Sequence, residues 1–136
     1  MASFTKVAHI DLTVTDADAS AQWYCDVLGL RNLHRGEVDG RITVVLLHKD
    51  TGLIIGLNRH DVTGSDVFDE RIVGLDHIGF GVDSRDELDQ WEQRLTELGV
   101  EHSPVADTPA GSALVFRDPD NIQLEFWWTR PREPKS

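Results

Sequence analysis

Hydrophobic and polar residues alternate strictly near the start of the chain. Ile10, Leu12 and Val14 fall on one side, and His9, Asp11 and Thr13 on the other. A period of two is that of a half-buried β-strand. Further on the period lengthens. Trp23 and Val27 take inward positions of a helix that Asp16 can cap and Gly29 can end. The same order recurs later. Leu88, Trp91, Leu95 and Leu98 stand at helical spacing, Ser84-Arg85-Asp86-Glu87 reads as a capping box, and Gly99 suits a left-handed C-terminal cap. Strand-like runs follow each helix. Arg41 to Lys49 and Leu53 to Asn58 are joined by a turn at Asp50-Thr51-Gly52. Ala113 to Arg117 and Ile122 to Trp128 are joined by Asp118-Pro119-Asp120-Asn121. Glu37-Val38-Asp39-Gly40 reads as another turn.

These recurrences are one duplication. Val7-Ala8-His9-Ile10-Asp11-Leu12-Thr13-Val14 aligns with Leu75-Asp76-His77-Ile78-Gly79-Phe80-Gly81-Val82 at an offset of 68 residues. Gln22-Trp23 then meets Gln90-Trp91, and Leu28-Gly29-Leu30 meets Leu98-Gly99-Val100 after a short insertion. Gly56 falls opposite Glu125. The expected organisation is α+β, with two βαβββ modules in tandem forming curved mixed sheets around a cleft. The first module spans 5–60 and the second 71–129. A polar linker at 61–70 joins them, and a frayed tail occupies 130–136.

Composition narrows the function classes. A length of 136 residues, 40% hydrophobic and 27% charged, is ordinary for one globular domain. The apolar runs are too short to cross a membrane, and the N-terminus carries no signal-like apolar core. The single cysteine, Cys25, has no disulfide partner within the chain, so a cytoplasmic location is the default. A net charge of −11 disfavours nucleic acid and anionic lipid and reads first as a solvated acidic surface, with a cationic small ligand as the alternative. No Gly-x-Ser-x-Gly elbow supports a serine hydrolase, and the glycines form no phosphate loop.

Alternation decides which side chains share a face. His9 and His77 point away from the apolar rows. In the last strand Ile122, Leu124 and Phe126 form the apolar row, so Gln123, Glu125 and Trp127 point the other way. His9, His77 and Glu125 converge if the two sheets close on each other. Two imidazoles and a carboxylate suit Fe, Mn, Zn, Ni or Co. Gly56 has no ligating side chain, so its corner is expected to stay open to water or substrate. Asp11, Gly56, Gln123 and Trp127 are the expected pocket residues. Glu125 doubles as the candidate general base, with Asp11 a remote second. The bland alternative makes both histidines hydrogen-bonded strand residues inherited by duplication, with Glu125 on a solvated face. His34, His48, His60 and His102, without repeat-equivalent histidines, read as surface residues at turns or strand ends.

The chain also resembles the vicinal oxygen chelate superfamily. The carriers are His9-Ile10-x-Leu12-x-Val14-x-Asp16, Trp23-Tyr24-x-x-Val27-Leu28-Gly29-Leu30, Leu75-Asp76-His77-Ile78 and Asp118-Pro119-Asp120-Asn121-Ile122-Gln123-Leu124-Glu125. That group includes glyoxalase I, fosfomycin-resistance thiol transferases, methylmalonyl-CoA epimerase, extradiol dioxygenases and bleomycin-binding proteins. The resemblance implies four strands per half, a homodimer with sites at the subunit interface, and metal ligands at His9, His77 and Glu125. The fourth ligand of glyoxalase I and the epimerases falls at Gly56, so the pattern is closer to the thiol transferases or dioxygenases. Two functions follow as expectations. One is a metalloenzyme (an isomerase or lyase, thiol transferase or dioxygenase) that chelates vicinal oxygens of a small substrate. The other is a non-catalytic, bleomycin-resistance-like protein that sequesters an aromatic or cationic compound.

Overall fold

The alternating segment at the head of the chain forms β1 (Ile10–Thr13), with Leu12 buried and Asp11 and Thr13 exposed. The coordinates are a computed structural model that describes residues 1–134; the fraying expected of Lys135 and Ser136 lies outside the described residues. After β1 the chain turns into α1 (Ala17–Leu28). The Asp16 side chain accepts a hydrogen bond from the Ala19 N–H at 3.0 Å, which satisfies one of the free amides of the first turn. Gly29, at φ +73°, closes the helix in the left-handed conformation. Ala17, Ala21, Tyr24, Val27 and Leu28 are its buried apolar residues. Tyr24, not the expected Trp23, is the fully buried aromatic. Trp23 is half-buried and meets the Tyr24 ring edge-on, with centroids 4.9 Å apart.

β2 (Arg31–Val38), β3 (Arg41–Leu47) and β4 (Ile54–Arg59) complete a four-stranded sheet in the order β1-β4-β3-β2. β1 runs parallel to β4; the other neighbours are antiparallel. Val44, Leu46, Ile55 and Leu57 are fully buried and, with Leu12 and Val14, form the core row of this sheet. Burying each such side chain is worth roughly 1.5–3 kcal/mol. A strand at the place of β2 belongs to the expected βαβββ plan, but the sequence did not locate its residues. It is an edge strand, exposed along almost its whole length, so no alternation marks it. His34 accordingly lies within β2, beside a register shift, and not at a strand end. The β2–β3 turn is made by Asp39 and Gly40, both at positive φ, as a two-residue hairpin with right-handed strand twist requires.

The second half repeats this plan. β5 (Ile78–Gly81), α2 (Arg85–Glu97), β6 (Ala106–Asp107), β7 (Gly111–Arg117) and β8 (Gln123–Thr129) give a sheet ordered β5-β8-β7-β6. β6, like β2, is an edge strand that the sequence pattern does not reveal. The expected capping box does not form. Ser84 is the N-cap residue but makes no side-chain cap bond, and Glu87 accepts from the Asp83 N–H instead, at 3.0 Å. The other end is regular. Gly99 N–H bonds Thr96 O and Val100 N–H bonds Leu95 O, with Gly99 at φ +71°, a Schellman closure. Leu88 and Leu95 are buried, whereas Leu98, expected inside, is 45% exposed at that closing turn. Phe126 stacks between Trp91 and Phe116, at 4.1 and 4.9 Å, and anchors β8 to both the helix and β7.

The two halves form separate units, Met1–Asp66 and Val67–Ser136. The start of the second is tied down locally. Phe68 N–H bonds Asp120 O, Asn121 Nδ2 bonds Phe68 O, and Glu70 pairs with Arg117 through two bonds of 3.0 Å.

Candidate metal centre

The alternation of β8 sends Leu124 and Phe126 into the core and leaves Gln123, Glu125 and Trp127 half-buried on the opposite face. Its neighbours carry the same rule. Gly79 of β5 and Val115 of β7 flank Glu125 in register. His77 immediately precedes β5, and its Nε2 lies 3.4 Å from Glu125 Oε1. Thus one imidazole and one carboxylate, expected to share a site, meet within the second unit.

A third residue holds that imidazole. His77 Nδ1 lies 2.6 Å from Asp76 Oδ1. An ionised carboxylate only accepts, so Nδ1 carries the proton and donates it. In the neutral ring the lone pair is then on Nε2, the atom facing Glu125. Carboxylate–histidine pairs of this kind fix both the tautomer and the orientation of metal-binding imidazoles. The hydrogen bond to Asp76 is the largest cause that raises the His77 pKa above its ordinary value. Partial burial opposes the rise, and the nearby Glu125 charge adds to it.

Asp76 is itself positioned. Gln123 Nε2 donates to Asp76 Oδ1 at 3.1 Å and to Asp76 O at 3.2 Å. Arg117 Nη2 donates to Gln123 Oε1 at 3.2 Å, and Glu70 holds the guanidinium from the far side. Gln123, expected to line a pocket, therefore supports Asp76. Trp127 shares the Glu125 face; its indole N–H donates to Thr129 Oγ1 at 2.8 Å. The sequence reading passed over Asp76, although the Asp-His pair was its visible signal.

In the first unit His9, exposed, directly precedes β1. Asp11 lies two residues on, paired in register with Gly56 of β4. Its Oδ2 accepts from Asn58 Nδ2 at 3.2 Å, and Asn58 Oδ1 accepts from Thr43 Oγ1 at 2.8 Å. The space beside Gly56 is occupied by Asp11. A Cβ placed on Gly56 would stand 2.7 Å from Asp11 Cγ and closer still to Oδ1, nearer than real Cβ atoms come. The Asp11 carboxylate fills the space that a side chain at position 56 would occupy.

The donor set of the second unit fits a first-row divalent ion. Ligand bonds of about 2.0–2.2 Å at a tetrahedral angle put two donor atoms roughly 3.4 Å apart. The His77–Glu125 separation is that distance. Among the described residues no group of three or more His, Cys, Asp or Glu side chains is gathered closely enough to hold an ion. His77 and Glu125 belong to one unit and His9 to the other.

Known proteins share this architecture. A structure described as a glyoxylase/bleomycin resistance protein/dioxygenase domain from Frankia sp. EAN1pec superposes with a TM-score of 0.86. It is 41% identical, over 94% of this chain and all of that one. The putative ring-cleaving dioxygenase MhqA of Bacillus subtilis is 27% identical over 91% of the chain. The chain spans only 40% of that relative's length. The metallothiol transferase FosB of Staphylococcus epidermidis is 28% identical over 90% of the chain and 80% of its own. No helix among the described residues is long and apolar enough to cross a membrane. Residues 6–126 match the family model of the Glyoxalase/Bleomycin resistance protein/Dioxygenase superfamily, and the chain belongs to that superfamily.

Proposed function

We propose that this chain is a metal-dependent enzyme acting on a small substrate with two neighbouring oxygens, with His9, His77 and Glu125 as its metal ligands. The observation that carries the reading is the Asp76–His77–Glu125 arrangement, with Nε2 directed at a carboxylate 3.4 Å away. A histidine that served only as a surface residue would need neither the bond that makes Nδ1 the donor nor a second potential ligand atom 3.4 Å from Nε2. Two relatives, a metallothiol transferase and a protein described as a putative ring-cleaving dioxygenase, agree with metal-dependent chemistry.

A bound divalent ion would supply Lewis acidity to the paired substrate oxygens. The residues of the chain do the rest. Asp76 holds a proton on Nδ1, so that Nε2 is the nitrogen of the neutral ring free to bind, and orients the imidazole. Gln123 and Arg117 keep Asp76 in place. Glu125 contributes an oxygen donor and, on release, a carboxylate able to take a proton from substrate. Trp127 shares its face and offers an aromatic wall to the ligand. The reading includes a homodimer whose shared sites draw modules from different subunits, working in the cytoplasm.

Metal content tests it. The protein is stripped with chelator, reconstituted with Mn(II), Zn(II) or Co(II), desalted and assayed for metal per chain. One equivalent is expected in the wild type, and much less in His77→Ala and Glu125→Ala. Wild-type protein that retains no stoichiometric metal would instead favour a non-catalytic protein that sequesters an aromatic or cationic compound.

A further inference from the structure

Asp76 orients His77 but has no strand or helix of its own to hold it. It precedes β5, and its side chain is 66% exposed. An exposed side chain gives up rotamer freedom when it is fixed, so bonds must hold it. One amide supplies two of them. Gln123 Nε2 donates to Asp76 Oδ1 at 3.1 Å and to Asp76 O at 3.2 Å. Gln123 is in turn the register partner of Arg117 on the neighbouring strand β7. The whole set lies within the second unit.

The direction of each bond follows from the chemistry of the groups. A guanidinium only donates, and it stays charged. Arg117 Nη2 therefore faces the amide oxygen of Gln123, at 3.2 Å. The amide nitrogen is left facing Asp76 O and Oδ1, which only accept. Turned over, the amide would set a donor against Arg117 and an oxygen against both acceptors of Asp76. Asp76 Oδ1 thus receives the amide and His77 Nδ1 together. Arg117 is itself locked. Glu70 accepts from both of its Nη atoms at 3.0 Å, and Asn121 O accepts from Nη1 at 3.1 Å. The side chains of Arg117 and Glu70 are 31% and 28% exposed, so water competes for these bonds only in part.

We infer that Arg117 is a positioning residue for His77: it fixes the Gln123 amide, the amide fixes Asp76, and Asp76 keeps the ring proton on Nδ1. The inference deepens the metal reading above and rests on it for the use made of Nε2. The bond directions themselves belong to the metal-free protein. An arginine that served only as a structural tie would hold β7, the 118–121 turn and Glu70 together without influence on the imidazole.

The test is the tautomer of His77 in the chelator-stripped full-length protein, read from the nitrogen NMR shifts of the ring at a pH where it is neutral. The wild type is expected to show the Nδ1–H form alone. Arg117→Met and Gln123→Met are each expected to give a mixture that includes the Nε2–H form. The double variant should differ little from Gln123→Met, because a residue that acts through a partner adds nothing once the partner is gone. Glu70→Gln should melt at a lower temperature yet keep the wild-type ring, since the bond from Arg117 to Gln123 survives it. Mn(II) binding to Arg117→Met should weaken by up to about tenfold, the lower end of the loss when a direct partner of a ligand is removed. Should Arg117→Met fail to fold, Arg117→Lys takes its place. Lysine keeps the charge without the fork that reaches Glu70 and Gln123 together, so the same mixture is expected. A wild-type tautomer in the folded Arg117 variant or in Gln123→Met overturns the inference. So does a ring that follows melting temperature across the whole set, Glu70→Gln included. If the tautomer shifts as expected but wild-type protein takes up no Mn(II), the positioning role stands and the metal reading falls.

Discussion

Asp76 acts on its surroundings through one oxygen atom. Oδ1 accepts from His77 Nδ1 on one side and from Gln123 Nε2 on the other. From Gln123 the contacts continue to Arg117 and Glu70. The Arg117 guanidinium holds the Glu70 carboxyl at about 2, below its ordinary value of 4.5. A folded-state pKa below the unfolded one means that the ion pair contributes fully above pH 4.5 and is lost as pH falls toward 2. Carboxyl NMR of the apo protein should therefore show Glu70 titrating near the low end. In Arg117→Gln its midpoint should return toward the ordinary carboxylate range, and an unchanged midpoint would deny the pairing. At this scale the sequence was partly legible. Alternation placed His77 and Glu125 on one face, because a period of two leaves no choice of side. It did not reveal that Gln123 supports Asp76, because hydrogen bonding between strands depends on register.

The helix ends show what a local motif can and cannot settle. Asp16 and Ser84 both precede helices, and both were read as caps. Only Asp16 makes the bond. Asp16→Ala is accordingly expected to cost about 1 kcal/mol in urea unfolding, and Ser84→Ala to stay within roughly 0.5 kcal/mol. Equal losses would contradict the assignment. The Ser84 box failed because Glu87 reaches Asp83 N–H instead, a choice between adjacent amides that spacing does not resolve. The edge strands β2 and β6 were illegible for a different reason. Both are exposed along most or all of their length, so neither shows a two-residue period. The central strands were legible within one or two residues because one face of each is buried.

For the whole molecule the decisive signal was duplication. Repeated anchors predicted two like modules, and the two sheets have matching strand orders and matching register at Asp11/Gly56 and Gly79/Glu125. Column-by-column alignment set Gly56 against Glu125 but did not show that Asp11, its register partner on β1, fills the space beside it, because cross-strand packing is not a property of position along the chain. The central claim is that His77 and Glu125 bind one cation. Diffraction at the zinc absorption edge, from crystals of zinc-reconstituted protein, tests it most directly. The account predicts an anomalous peak about 2.0–2.2 Å from both His77 Nε2 and a Glu125 carboxylate oxygen. A fully loaded crystal with its peak elsewhere, or with none near these two side chains, would contradict it.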